Sequence, residues 1–150
     1  MDAVTYPNDK VAAYVQDNVI PLRIGHEQQP FAEQFKVKWT PRLFILDANG
    51  NPDHDVIGFL PPDELVPFIQ LGQAKKAFHS DQLDQAIDIL DSLLLESSAC
   101  GSAPEAVFLR GVSHFKKNED PKALKEVYRL LMFDYPHSAW ARRGFPYWNL

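Results

Sequence analysis

Few residues in this chain stand where chemistry would need them. Cys100 is the one cysteine, which leaves no internal disulfide, no CxxC redox pair and no cysteine-based zinc site. It lies in a Ser/Gly-rich run, residues 97–102, where a thiol is expected to be exposed, with a pKa near ~8.5. No base neighbours it in sequence, so no catalytic residue is assigned. The histidines (His26, His54, His79, His114 and His137) never fall three or four residues from one another. His26-Glu27 does not open an HExxH, and no metal site is expected. An EF-hand loop starting at Asp47 would need glycine at its sixth position and glutamate at its twelfth. Those positions hold Pro52 and Gly58. Nucleophile elbows, phosphate-binding loops and dinucleotide glycine patterns are absent, and no cofactor is implied.

Two surface features remain. Asp81, Asp84, Asp88 and Asp91 share one side of a helix, which reads as a solvated acidic face or as a surface for a basic partner. Trp140, Phe145, Tyr147 and Trp148 crowd the end of the sequence. Such aromatics either cap the last helices or anchor a partner, since Trp and Tyr dominate interface hot spots.

The elements that must carry these residues follow from composition and period. The 150 residues are 45% apolar and 23% charged, a globular composition with net charge −5. Basic residues come only in pairs, so no nucleic-acid footprint is expected. No apolar run approaches the ~20 residues of a membrane span. No basic segment followed by an apolar stretch opens the sequence, and cytoplasmic is the default expectation.

The first 62 residues hold most of the strand and turn signals. Val11, Ala12, Tyr14 and Val15 fit one face of a short helix entered from Asn8 or Asp9. The run Val19-Ile20-Pro21-Leu22-Arg23-Ile24 is β-branched and apolar and predicts a strand, with Pro21 placing it at an edge or bulge. A short helical patch at residues 31–35 precedes Trp39-Thr40-Pro41. Leu43-Phe44-Ile45-Leu46 is the strongest strand. Asn49-Gly50 then turns the chain into a second strand over about residues 55–59.

From Pro62 the period becomes helical. Leu65, Phe68, Ile69 and Gly72 lead into Ala74, Ala77 and Phe78, with Pro67 expected in the first turn or at a mild kink. Leu83, Ala86, Ile87, Leu90, Leu93 and Leu94 make a second helix. Others are expected over about residues 104–117, 120–133 and 137–143. Ala74 aligns with Gly111, Ala86 with Ala123, Ile87 with Leu124 and Leu90 with Val127, each pair 37 residues apart. Small residues fall where antiparallel helices must approach, as a helix-turn-helix repeat requires. Gly111, Ala123 twelve residues on and the closing Tyr135-Pro136 resemble a tetratricopeptide repeat. Ala74 replaces the usual glycine in the first copy, and a plain four-helix bundle is the alternative.

Read in order, helix, strand, short helix, Thr40-Pro41, strand, Asn49-Gly50 turn, strand and helix resemble the C-terminal two thirds of a thioredoxin-like domain. The resemblance covers residues 1–72. It implies that Pro41 is the family's cis-proline and that Thr40 offers its backbone to an extended substrate. Gly58 is expected to relieve crowding beside the adjacent strand. The CxxC and the strand before it are missing, so this chain cannot run dithiol chemistry by itself. In the family's sheet order the missing strand lies between residues 19–24 and residues 43–47. Those two strands could close up, another chain could fill the gap, or the sequence is a fragment of a longer protein.

The expected fold is therefore an incomplete thioredoxin-like α/β portion over residues 1–72, then all-α tetratricopeptide-like hairpins with an aromatic tail over residues 73–150. By resemblance, the intact protein would be a bacterial-type thiol–disulfide oxidoreductase or a thioredoxin-like holdase. The rival is a redox-silent adaptor whose helical repeats bind a protein segment. The expected partners are protein clients or peptides, with self-association through the open sheet edge ranked last.

Overall fold

The structure, a computed structural model, describes residues 1–25 and 27–150. His26, weighed above as a metal ligand, lies outside them. The described residues are mostly helical and carry one small antiparallel sheet. They divide into two compact units, Met1–Val66 and Pro67–Leu150.

The first unit opens with α1 (Asp9–Asn18). Asn8 starts it because its side-chain oxygen accepts from the Lys10 and Val11 amides, at 3.1 and 3.3 Å. Asp9 adds negative charge to the first turn. Val11 is buried, Tyr14 and Val15 are half-buried, and Ala12 faces solvent. Next comes α2 (Gln29–Gln34), with a proline in its first turn. β1 (Arg42–Leu46) and β2 (Pro52–Ile57) then form a two-stranded antiparallel sheet.

Two strand expectations are corrected. Residues 19–24 form no strand. Ile20 is 97% and Leu22 76% exposed. Strand propensity is realised only against a neighbour, and Pro21 removes one of the donors a ladder would use. These residues do not pair with β1, so the gap considered above is not closed by direct contact. β2 also starts at Pro52 rather than near Asp55, because the turn is tightened from within. The Asp47 carboxylate accepts from the Asn49 and Asn51 amides at 2.8 Å each and from the Asn51 side chain at 3.0 Å. Gly50 adopts φ 83°, and a bulge between Ile45 and Leu46 absorbs the register change.

The second unit stacks antiparallel helices. α3 (Pro62–His79), α4 (Leu83–Ser97), α5 (Ala103–Asn118) and α6 (Lys122–Asp134) are followed by α7 (Ala139–Gly144) and a 3₁₀ turn, Phe145–Asn149. Pro67 lies inside α3, in its second turn rather than its first, and is buried; with no N–H it cannot donate to the Asp63 carbonyl four residues back. Leu71 and Ala74 of α3, Leu90 and Leu93 of α4 and Ala106 of α5 form one buried cluster. Each of those leucines contributes about 1.5–3 kcal/mol by leaving water. Val107, Val127, Leu131 and Ala141 form the next cluster.

The turns after α3 and α5 each hold a residue at positive φ, 38 rather than 37 residues apart, because Asp81 bonds back three residues and Glu119 four. The turn after α3 puts Asp81 at φ 61°, and the turn after α5 puts Glu119 at φ 54°. Asp81 N–H bonds to the Phe78 carbonyl, and Glu119 N–H to that of Phe115, the residue 37 positions later. Turns this short force each helix pair to run antiparallel.

Candidate functional site

Trp39, Thr40 and Pro41 lead into β1 on the surface of the first unit, with Trp39 70% exposed. The Thr40–Pro41 peptide is cis. The Pro41 carbonyl accepts from the Gly58 amide at 2.8 Å, which extends the hairpin by one rung. Gly58 does not relieve crowding as expected, because a Cβ there would meet nothing within 4 Å. Its φ of 103° is what requires glycine.

With Pro41 and Gly58 as a hydrogen-bonded pair, alternation turns the backbone groups of Arg42 and Phe44 away from β2. Among the described residues the sheet ends there, at two strands. Thr40 has no backbone hydrogen-bond partner among the described residues. Below the edge, the Arg42 guanidinium is fixed. It donates to Asp55 at 2.7 and 3.0 Å and to the Lys36 carbonyl at 3.2 Å, and it lies 4.8 Å from the Phe44 ring centre. Phe44 also meets Phe35, at 5.1 Å between ring centres. This arrangement stiffens β1 and pairs the Arg42 charge with Asp55.

The acidic residues are largely exposed, as the solvated-face expectation had them, and are also paired within the chain; Asp81 lies in the turn before α4 rather than on it. Asp81 pairs with Lys116 at 2.8 Å, Asp84 with Lys117, and Asp91 with Arg110. Moving two turns forward on α4, from Asp84 to Asp91, moves two turns back on α5, from Lys117 to Arg110. Three of the four aspartates are thus neutralised within the chain, in an antiparallel register. Lys75 and Glu105 tie α3 to α5 in the same way.

The aromatic residues divide into two pairs. Trp140 and Tyr147 lie on Phe108, with ring centres 5.0 and 5.9 Å away, and pack against the buried cluster of Val107, Val127 and Leu131. They seal the end of the helical stack. Phe145 and Trp148 meet Tyr128 edge-on, with ring centres 6.2 and 5.5 Å away, and remain 63% and 58% exposed. A groove of about 400 Å³ runs beside them, lined by Tyr128, Met132, Pro136, Ala141, Arg142 and Phe145.

Cys100 is half-buried rather than exposed. The loop folds into tight turns, Cys100 N–H to the Ser97 carbonyl and Ala103 N–H to the Cys100 carbonyl, both 3.1 Å. The thiol therefore packs against the Leu90 and Leu93 cluster. Nearby, the Tyr135 hydroxyl donates to the Ser98 carbonyl at 2.6 Å. Burial is the main cause that raises the Tyr135 pKa, with Asp134 adding to it. Among the described residues no group of three or more His, Cys, Asp or Glu side chains could hold a metal ion. No helix among them is long and apolar enough to cross a membrane.

Two residues that matter here were missed in the sequence. Thr5 is fully buried and its hydroxyl donates to the Leu60 carbonyl at 2.6 Å; a lone threonine gives no signal of this. Asp47 could have been recognised, since an aspartate two residues before Asn49-Gly50 is a known turn former. A scan against protein-family models and searches of curated proteins and solved structures return no match.

Proposed function

We propose that this chain is a non-enzymatic protein-binding module: a thioredoxin-like portion without a dithiol pair, followed by two tetratricopeptide-like hairpins that hold a segment of another protein. The observation that carries this reading is the repeated close approach in the hairpins. A Cβ on Gly111 would lie 1.8 Å from Val127 Cγ2. Ala74 and Leu90, each 37 residues earlier, share one fully buried cluster. Stacked hairpins of this kind present extended surfaces that bind proteins rather than transform small molecules.

A second reading uses the first unit. Thr40, whose backbone has no hydrogen-bond partner among the described residues, and the outward groups of Arg42 and Phe44 would pair with an extended client segment, as a holdase would. Both readings require binding without thiol chemistry.

The test is titration of a labelled, reduced and alkylated polypeptide, which stays unfolded and offers no disulfide. Saturable binding is expected, with no acceleration of disulfide reduction by dithiothreitol in a parallel assay. Absence of binding, or turnover of the disulfide, would overturn the proposal.

A further inference from the structure

We infer that the groove between α6 and the α7–3₁₀ segment is the seat of the partner, and that the partner is a linear peptide bearing a large apolar side chain next to a carboxylate. This rests on the protein-binding reading above and says where and what it binds.

The end of α7 lies against α6. A Cβ on Gly144 would sit at ordinary van der Waals distance, 3.5 Å from Leu131 Cδ1 and 3.7 Å from the Tyr128 Cα. Ala141, buried, is small enough to form a floor. Tyr128 and Met132, four residues apart, form the α6 wall, and Phe145 closes one end. Met132 is 44% exposed, and its flexible thioether can adapt to an apolar group of varied shape. A volume of about 400 Å³ suits one large side chain and its backbone.

Arg142 supplies the polar half of the recognition. Arg23, Arg42, Arg110 and Arg129 each hold a carboxylate, and Arg143 lies over the Trp140 ring at 4.3 Å. Arg142 has no such partner among the described residues, and no acidic residue lines its groove. In a chain of net charge −5, an arginine without a carboxylate beside an apolar groove selects for an incoming anion. A guanidinium fork meets a carboxylate in two parallel hydrogen bonds.

The experiment is fluorescence anisotropy with the whole chain and two short labelled peptides, one with tryptophan between glutamates and one with tryptophan between lysines. The acidic peptide is expected to bind about tenfold or more tightly. Arg142→Glu should weaken it about five- to tenfold, and Arg142→Lys, which keeps the charge but loses the fork, should fall between Arg142→Glu and wild type. Met132→Lys, on the surface and therefore tolerated by the fold, should cost about tenfold despite the added positive charge. Circular dichroism confirms that each variant is folded. Equal affinity for the two peptides, or an unchanged Arg142→Glu, overturns the inference. So does a wild-type dimer in sedimentation that Arg142→Glu dissociates, since a second copy would then fill the groove. If the unfolded polypeptide binds and neither short peptide does, this inference falls while the wider reading stands. If nothing binds, both fall.

Discussion

Gly111 and Val127 meet so closely that no side chain fits between them: a Cβ on Gly111 would overlap Val127 Cγ2 at 1.8 Å, with the Ala123 carbonyl at 3.4 Å behind. Valine is stiff at χ1 in a helix and cannot swing away cheaply. Gly111→Ala gains about 1 kcal/mol of helix propensity but overpacks the seam by about 1–3 kcal/mol. The overpacking is the larger effect. Urea denaturation should show a net loss, and Val127→Ala in the same chain should recover part of it, as expected of contacting residues.

Asp84 and Lys117, with Asp91 and Arg110, form a ladder between α4 and α5. Exposed pairs are worth about 0.2–1 kcal/mol each. Asp84→Lys should lower stability by roughly that amount, and the swapped pair Asp84→Lys with Lys117→Asp should restore it. Added salt should narrow the difference between the single variant and wild type, because it screens exposed charges.

Thr5→Val keeps the shape of a buried side chain and removes its hydroxyl. The Leu60 carbonyl, which accepts from that hydroxyl at 2.6 Å, would be left unsatisfied. A loss of about 1–3 kcal/mol is expected in denaturant unfolding.

The Asp47 carboxylate is held below the usual carboxylate range, first by the Asn51 side chain and then by backbone amides of the turn. A depressed folded pKa means the stabilisation is complete above the unfolded value and is lost as pH falls through the folded one. Protection of the residue 47–51 turn amides, taken relative to their intrinsic exchange rates, should therefore fall on acidification below the normal aspartate range. Asp47→Asn should remove that pH dependence.

The helices were legible because their stabilising contacts recur at helical spacing. The internal match of Ala74 with Gly111 and of Leu90 with Val127 picks out residues of the seam. Asn8 and Asn49-Gly50 worked for the same reason, since caps and turns act over a few residues. What could not be read depended on partners distant in sequence. Residues 19–24 have strand composition and no strand to pair with. Asp81, Asp84 and Asp91 read as a solvated face and are exposed; their pairing with Lys116, Lys117 and Arg110 arises only once α5 folds back. Trp140 and Phe145 are alike in type, and only the position of Phe108 puts the first inside and leaves the second out. Arg142 carried no sequence signal, since its interest lies in the carboxylate that its surroundings lack.

The central claim, binding without thiol chemistry, is tested most directly by comparing wild type with Cys100→Ser in the unfolded-polypeptide titration and a disulfide-reduction assay. The account predicts binding within about twofold of wild type, since a half-buried thiol packing at the edge of a cluster contributes little to a distant surface, and no reduction by either protein. Disulfide turnover that disappears with Cys100→Ser, or binding lost in a folded variant, would contradict it.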